Sequence, residues 1–311
     1  MVAQVQRANA VVIWRETFPA FEYHRPKTVG EALELLSRYA GEAKVLAGGT
    51  CLTRDLRAMK VAPKHVIDIK GIRELRRIRY VEGEGLEIGA TVTYEDVLSS
   101  SVIKEKFRAL WDAAKQMGDV QVRHRGTIGG NIANSSPQAD SPPALLVMGA
   151  WVTLASVRGT RKVMLKEFFK GHKKNVMEPD ELLVSIHVPE PPEGARSAYI
   201  KFKRSAEDRA IVGVAALVAS VRDRERRVVR LAYSSIAKTP VLLEEAEELF
   251  RQDRPFNELV EEAVKLAQSR FDLPVGERGI DLRVRDEYRL HLIRIGTKAI
   301  LKYLVDGVEV F

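Results

Sequence analysis

The sequence contains one cysteine, Cys51, in 311 residues, and it has no apolar run long enough to cross a membrane. A single thiol cannot form an internal disulfide, hold an iron–sulfur cluster or complete a cysteine-based zinc site. Spanning a bilayer takes roughly 18 consecutive apolar residues, and the longest candidate, residues 210–221, is shorter and predicts a buried strand instead. We therefore expect a protein of a reducing compartment, the cytoplasm, with no membrane span.

A strong charge of one sign is also lacking. The chain has 50 Lys and Arg against 42 Asp and Glu, which leaves a net charge of +8. Acidic residues interrupt each basic stretch, such as residues 54–79 and 222–230, and no zinc-finger spacing or aromatic RNA-binding run accompanies them. This pattern favours a solvated, Arg-rich surface over a nucleic-acid groove, and the excess of positive charge can also serve an acidic partner subunit.

The length and composition are those of a globular protein with more than one domain. Hydrophobic residues make up 45% of the chain and charged residues 30%. At roughly 150 residues per domain, the length predicts about two domains. Helix and strand signals occur in both halves and predict an α+β protein, with the proline-rich segment Pro189–Gly194 as its linker. The predicted parts are an N-terminal extension (1–17), a first domain (18–190, with subdomains at about 18–75 and 76–190) and a C-terminal domain (195–311).

Local patterns predict individual elements of these parts. Thr93 followed by Asp96 has the spacing of a helix start. Two β-hairpins are predicted, one turning at residues 82–85 and the other at 158–160. Thr239 and Pro240 predict the N-cap and first position of a later helix. Beyond the linker, the β-rich runs that predict a small sheet are residues 198–203, 211–221 and 228–234.

Two glycine pairs are the strongest candidates for a ligand site. They are Ala47-Gly48-Gly49-Thr50 and Thr127-Ile128-Gly129-Gly130-Asn131, each after a predicted strand or extended segment. Successive amides in a glycine-rich turn point into one concavity and bind anions, so two such loops can hold the two phosphates of a dinucleotide. Either pair alone can equally be a tight turn. Neither G-x-x-x-x-G-K-[ST] nor G-x-G-x-x-G spacing is present, which excludes the common nucleotide-binding loops.

A polar cluster follows the second glycine pair. It includes Asn131, Asn134 and Asp140, and it ends at a pair of prolines. These side chains can be caps and turns before the prolines. They can also contact the phosphate and ribose of a nucleotide, with Asp140 accepting hydrogen bonds from a diol. Local chemistry leaves both interpretations open.

Taken together and in this order, these segments resemble one family: the FAD-binding subunit of the molybdenum hydroxylases, of which the medium subunit of carbon monoxide dehydrogenase and the flavin domain of xanthine dehydrogenase are members. The resemblance extends from about Phe18 to near the C-terminus. The Thr-Ile-Gly-Gly-Asn block at 127–131 with its trailing Asp140 carries it most specifically. Further matching segments are residues 21–26, 180–183, 201–212 and 287–291.

The resemblance implies a fold, a cofactor and a set of site residues. The fold is a two-subdomain FAD-binding fold of the vanillyl-alcohol-oxidase (PCMH) type, followed by a C-terminal α+β domain with a small antiparallel sheet. FAD is expected to bind without a covalent bond, with no catalytic side chain and no metal in this chain. Its pyrophosphate is expected at Ala47–Thr50 and Thr127–Asn131, and its phosphate or ribose at Asn134 and Asp140. Leu183 and Lys203 match positions near the flavin ring.

The resemblance also implies that the chain is an electron-transfer subunit rather than a complete enzyme. A small subunit with 2Fe–2S clusters and a large molybdopterin subunit are the expected partners, in a dimer of heterotrimers. Two alternatives stay open: a stand-alone FAD-dependent oxidase or dehydrogenase, and a colourless module whose basic surface binds nucleic acid. Cys51 and His124 depart from the residues usual in the family. The sequence leaves open the substrate, whether aldehyde, carbon monoxide or purine, and the electron acceptor.

Overall fold

The computed structural model describes residues 19–271 and 284–307, so the predicted N-terminal extension lies outside the described residues. The strands are β1 (Glu22–His24), β2 (Ala43–Leu46), β3 (His65–Asp68), β4 (Ile78–Val81), β5 (Gly85–Gly89), β6 (Trp151–Ser156), β7 (Gly159–Met164), β8 (Phe169–Gly171), β9 (Lys174–Asn175), β10 (Leu182–Val188), β11 (Arg196–Phe202), β12 (Val212–Ala219), β13 (Val228–Ser234) and β14 (Val241–Leu242). The helices are α1 (Val29–Arg38), α2 (Leu52–Arg57), α3 (Tyr94–Leu98), α4 (Ser101–Lys106), α5 (Arg108–Lys115), α6 (Val120–Arg125), α7 (Ile128–Ala133), α8 (Ser141–Val147), α9 (Leu165–Phe168), α10 (Ala246–Phe250), α11 (Phe256–Ser269) and α12 (Asp286–Asp306).

The first sheet is small and parallel, with the strand order β1-β3-β2. Helix α1 follows β1 and begins at Thr28, whose hydroxyl accepts the amide of Glu31. The apolar face of α1, with Ala32 and Leu36, packs in one small core with Ile67 of β3. Because parallel strands end at the same edge, the chain leaves β2 at Leu46 beside the end of β3, and this exit begins the first glycine pair.

The second sheet is antiparallel, with the order β4-β5-β10-β6-β7. Both predicted hairpins are present as β4–β5 and β6–β7, and the predicted helix start is a capping box in which Thr93 and Asp96 exchange side-chain and backbone hydrogen bonds. The largest core lies between this sheet and helices that include α5, α7 and α8. It therefore holds the second glycine pair, at the start of α7, against buried strands.

The third sheet is antiparallel, with the order β11-β12-β13-β14. Every residue of β12 is buried, because both faces of this strand are covered. Val214 and Ala216 belong to the core shared with α11 and α12, and Ala215 and Leu217 belong to the core shared with α5 and α8. This explains the uninterrupted apolar run that predicted a buried strand.

One predicted helix start is wrong. Thr239 and Pro240 do not begin a helix, because the next two residues form the edge strand β14 on β13. The helix that follows, α10, begins at Ala246 instead. Pairing with the exposed edge of β13 satisfies backbone groups that a helix start would leave open, and no local signal reports that pairing. The α+β class is otherwise confirmed.

None of the helices within residues 19–271 and 284–307 combines the length and the apolar character that crossing a bilayer requires.

Candidate cofactor-binding site

The first glycine pair forms an open turn between β2 and α2. Among the described residues, the backbone amides of Gly48, Gly49, Thr50 and Cys51 donate no hydrogen bond to the protein. Gly49 has a φ of +80°, in the left-handed region that favours glycine. Thr50 is exposed, and Gly49 and Cys51 are partly exposed. Consecutive unpaired amides at an accessible turn form an arrangement that binds phosphate oxygens.

The second glycine pair is the first turn of a helix rather than the loop that was predicted. Thr127 is the N-cap of α7, and its hydroxyl accepts the Gly130 amide at 3.1 Å. The amides of Ile128 and Gly129 donate to the carbonyls of Val92 and Ala90, and the Asn131 amide donates to the Thr127 carbonyl. All four amides thus have protein acceptors, so this segment offers a ligand its side chains rather than its backbone.

The two segments lie directly against each other. A Cβ added to Gly48 would sit 2.0 Å from the carbonyl oxygen of Arg125, and one added to Gly130 would lie 3.7 Å from the Cβ of Ala47. Gly129 packs as closely on the other side, since its added Cβ would lie 2.6 Å from the Cα of Ala90. Gly48 and Gly129 are required because backbone meets backbone at these two contacts.

Some polar side-chain atoms after the second glycine pair form hydrogen bonds within the protein, and others have no partner among the described residues. Asn131 accepts a hydrogen bond at Oδ1 from the Ser141 hydroxyl at 2.8 Å, whereas its Nδ2 has no partner among the described residues. Asn134 is the C-cap of α7, and its side chain has no hydrogen bond within the described part of the chain. Both residues are half-buried. Two amide side chains are therefore available to a ligand at this end of α7.

Asp140 is not an accessible acceptor. It is 3% exposed, and its carboxylate accepts the Tyr199 hydroxyl at 2.7 Å and the Lys201 ammonium at 2.9 Å. Burial raises the pKa of Asp140, and the Lys201 ammonium opposes this rise. Both donors stand on β11, so Asp140 ties the residues after the second glycine pair to the third sheet. A contact with ribose or phosphate stays a prediction for this residue.

Leu183 and Lys203 occupy different surroundings. Leu183 is 3% exposed in β10 and faces Leu154 of β6 in the largest core. Lys203 directly follows β11 and is half-buried, with its ammonium donating to the Ala206 carbonyl at 3.2 Å. Partial burial lowers the pKa of Lys203, and the charges of Lys201 and Arg123 lower it further. Lys201 and Lys203 thus place positive charge around Asp140, and Arg123 adds positive charge near Lys203.

The sequence analysis did not predict that Lys201 and Gln116 contact Asp140 and β11 beside the candidate site. Lys201 is fully enclosed at its side chain and also donates to the Gln116 carbonyl at 3.1 Å. The side-chain amide of Gln116 donates to the Tyr199 carbonyl and accepts the Lys201 amide, so it pairs with the edge of β11 as a neighbouring strand would. The one available signal was the spacing of Lys201 and Lys203, which are two residues apart and so point to the same side of an extended chain.

A family model described as the FAD binding domain in molybdopterin dehydrogenase matches residues 19–191. The chain belongs to this family. A second family model, the CO dehydrogenase flavoprotein C-terminal domain, matches residues 197–304. Membership confirms the resemblance inferred from the glycine pairs, and with it the fold of an FAD-binding domain followed by a flavoprotein C-terminal domain.

Relatives of known function and structure agree with this membership. The carbon monoxide dehydrogenase medium chain of Hydrogenophaga pseudoflava is 39% identical over 221 residues, 71% of this chain and 76% of that protein. The xanthine dehydrogenase FAD-binding subunit of Escherichia coli O157:H7 is 33% identical over 290 residues, 93% of this chain and 97% of the relative. A structure of the Hydrogenophaga pseudoflava carbon monoxide dehydrogenase that lacks the Mo-pyranopterin moiety has a TM-score of 0.85 at 34% identity, covering 93% of this chain and 98% of that one.

The residues present fit the cofactor of this family. FAD carries a pyrophosphate with two negative charges, and the unpaired amides of residues 48–51 are donors with no acceptor in the described protein. Arg123 adds a buried Nε that has no hydrogen-bond partner there. A buried donor without an acceptor is costly, so an anionic ligand that accepts from it is the simplest way to satisfy the site.

Proposed function

We propose that this chain is the FAD-binding electron-transfer subunit of a multi-subunit molybdenum hydroxylase. The observation that carries the proposal is the row of unpaired amides at Gly48–Cys51, held against the start of α7. Bound FAD supplies the chemistry, since it exchanges electrons both singly and in pairs and so links one-electron and two-electron partners. The chain itself binds and orients the cofactor.

Each segment has its own part in binding. Within the Ala47–Thr50 segment, the unpaired amides of Gly48, Gly49 and Thr50 donate to the pyrophosphate. Thr127–Asn131 supports that turn from behind through its backbone, and the free amide groups of Asn131 and Asn134 reach the phosphate or ribose. Lys203 provides a cation toward the ring end of the site, and Leu183 backs that end from within the core of the second sheet. Asp140 acts mainly by fixing these groups to the third sheet through Lys201.

The names of the relatives support an assembly of several subunits. The relatives include proteins named medium chain and FAD-subunit, which are components of multi-subunit enzymes. We propose a small iron–sulfur subunit carrying two 2Fe–2S clusters and a large molybdopterin subunit as partners, in a dimer of heterotrimers. The substrate is oxidised in the large subunit, and electrons leave this chain to an external acceptor. The positive net charge of +8 suits an acidic partner.

The visible spectrum of the purified chain tests the cofactor. We expect a flavin spectrum and, after acid precipitation, release of about one FAD per chain, as a non-covalent single site requires. Protein purified without colour is then incubated with FAD and filtered. A chain that neither carries FAD nor takes it up contradicts the proposal.

Turnover by the isolated chain separates the proposal from the stand-alone alternative. An electron-transfer subunit reduces an external dye when given a reductant for the flavin, but it does not oxidise aldehydes or purines alone. Steady-state oxidation of such a donor by the FAD-loaded chain without partners would favour a self-contained oxidase or dehydrogenase.

A further inference from the structure

A cluster of three metal-ligating side chains lies on the first sheet, outside the cofactor site. It consists of Glu22 and His24 on β1 and His65 on β3. Glu22 and His24 are two residues apart on one strand, so their side chains share a face of the sheet. Glu22 is also the direct register partner of His65 on the neighbouring strand. The topology therefore brings all three together without any help from a loop.

The distances between the three ligand atoms match those around a tetrahedral ion. His24 Nε2 lies 3.1 Å from His65 Nδ1, and the Glu22 carboxylate lies 3.4 Å from His65 Nδ1 and 3.9 Å from His24 Nε2. Zinc–ligand distances of about 2.0–2.1 Å at tetrahedral angles place ligand atoms roughly 3.3 Å apart. The described chain thus holds the three atoms nearly where a zinc ion would require them.

The imidazole rings are also held in place. The ring of Tyr39, at the end of α1, stacks on the His65 ring with 3.6 Å between centroids and 16° between planes. The same tyrosine stacks on His24 at 5.3 Å. Packing that fixes ligand rings before the ion arrives reduces the entropy lost on binding.

Access and donor chemistry favour a borderline divalent cation. The side chains of His24 and His65 are 19% and 11% exposed, whereas that of Glu22 is 71% exposed, so an ion can enter from the Glu22 side. An open groove of about 420 Å³ along β1 and α1 has His24 in its wall and lies beside the cluster. Two imidazoles and one carboxylate select Zn²⁺ over Mg²⁺ or Ca²⁺, which prefer oxygen ligands alone.

We propose that Glu22, His24 and His65 bind a Zn²⁺ ion, with water in the fourth position, and that the ion joins the edge strand β1 to the central strand β3. Strand β1 has three residues and, within the described part of the chain, pairs on one side, so the backbone hydrogen bonds seen there hold it weakly. A shared ion adds a cross-strand connection at the point where the described chain enters the fold. This site is independent of the FAD proposal, because none of its residues belongs to the glycine segments.

Zinc titration of the full-length chain, without an affinity tag and stripped with a chelator, tests the proposal. Calorimetry and metal analysis after gel filtration are expected to show one saturable Zn²⁺ per chain, unaffected by excess Mg²⁺. Zn²⁺ is also expected to raise the thermal unfolding midpoint. The absence of saturable zinc binding would overturn the site. Zinc binding without a rise in the thermal unfolding midpoint would overturn its structural role.

Variants locate the ion. His24→Gln and His65→Gln are expected to lose the bound equivalent. Glu22→Gln changes an exposed side chain that is not needed for folding, and it is expected to weaken binding by at least the roughly tenfold that even outer-shell changes cost. His291→Gln, an exposed histidine on α12, serves as the matched control and is expected to bind like the parent chain. Equal zinc binding by Glu22→Gln, His24→Gln and the control would place the ion elsewhere and refute the proposal.

Discussion

The two glycine pairs look alike in sequence but differ in what their backbones do. At residues 48–51 the amides have no acceptor among the described residues, whereas at residues 128–131 every amide is bound to a protein carbonyl or to the Thr127 hydroxyl. The first segment is partly exposed, and the second is largely buried beneath it. One glycine pair is therefore built to receive a ligand, and the other is built to support the first.

This difference separates two reasons for glycine that a sequence motif cannot distinguish. Gly49 adopts a positive φ, which favours glycine, in a turn whose successive amides have no acceptor among the described residues. Gly129 has no such conformation but lies where the backbone of Ala90 leaves no room for a side chain. A substitution in the supporting segment, residues 128–131, is expected mainly to lower the free energy of unfolding. A substitution in the receiving turn, residues 48–51, is expected mainly to lower the affinity for FAD.

The largest expected loss of stability comes from breaking the ion pair between Lys201 and Asp140, which ties the residues after the second glycine pair to the third sheet. Lys201→Met leaves the buried Asp140 carboxylate without its cation, and breaking a buried pair in this way costs about 3–5 kcal/mol. Urea denaturation of the FAD-free protein measures the loss. Lys203→Met is the matched control: among the described residues its ammonium donates a hydrogen bond to the Ala206 carbonyl and acts on Asp140 through its charge without a hydrogen bond, so the loss should be smaller, about 0.5 kcal/mol. Equal stability of the two variants would show that the ion pair is not an anchor.

Gly129→Ala tests the support itself. The new Cβ would lie 2.6 Å from the Ala90 Cα and carbonyl oxygen, which are backbone atoms that cannot rotate away. Overpacking of this kind costs about 1–3 kcal/mol, and we expect it in the unfolding free energy of the FAD-free protein. Gly83→Ala, at a hairpin tip with open space around it, measures the cost of a methyl group without a clash. Because Gly83 has a φ of +81°, that control carries its own conformational cost. Unchanged stability of Gly129→Ala would contradict the supporting role.

Gly48→Ala tests the receiving turn. Its Cβ would meet the Arg125 carbonyl oxygen at 2.0 Å, and the turn, which no backbone hydrogen bond of its amides restrains, is expected to shift away. The amides then lose their alignment, and FAD affinity is expected to fall at least about tenfold, equivalent to about 1.4 kcal/mol. Fluorescence titration with FAD gives the affinity, and urea denaturation of the same protein should show a smaller loss than in Gly129→Ala. Parental FAD affinity would place the pyrophosphate elsewhere.

The smallest expected loss of stability comes from Lys173, which contacts both the helix after the first glycine pair and the residues after α7. Lys173 donates to the Asp55 carboxylate at 2.9 Å, on the helix that follows the first turn, and its backbone amide donates to the Ser135 carbonyl after α7. Lys173→Met is expected to cost less than about 1 kcal/mol at neutral pH, because the lysine is partly exposed. Lys174→Met, the neighbouring exposed lysine, is the control.

The stabilisation by Lys173 should also depend on pH. Burial alone would raise the pKa of Asp55, but the hydrogen bonds and charges of Lys173 and Arg54 together outweigh it and hold the pKa below its usual range. The contribution is therefore present above the pKa of an unfolded aspartate, about 3.9, and is lost as the pH falls through the lower pKa of the folded state. Urea denaturation of the parent chain and of Lys173→Met, at neutral pH and at a series of lower pH values, measures this contribution. A difference between Lys173→Met and the parent chain that persists unchanged into acid would contradict the pairing.

Local patterns predicted the elements whose partners are close in sequence. The two hairpins and the Thr93 capping box need only a turn or three intervening residues, and the structure contains them. The start of α7 was predicted as a loop although its cap is local, with the Thr127 hydroxyl accepting the Gly130 amide, because a pair of glycines is a poor helix signal. Strand β14 was missed because its partner among the described residues, β13, is identified only in the folded chain.

The sequence alone determined the family, the α+β class and the segments at which FAD is expected. These depend on residue identity and order, such as the Gly-Gly pairs and the buried run of β12, which are set before the chain folds. Only the tertiary structure decided which glycine pair has unpaired amides, that Asp140 pairs with Lys201 61 residues away, and that Glu22, His24 and His65 converge. The physical reason is that an amide or a carboxylate is free or bound according to what lies within about 3 Å of it, and distant chain segments supply those neighbours.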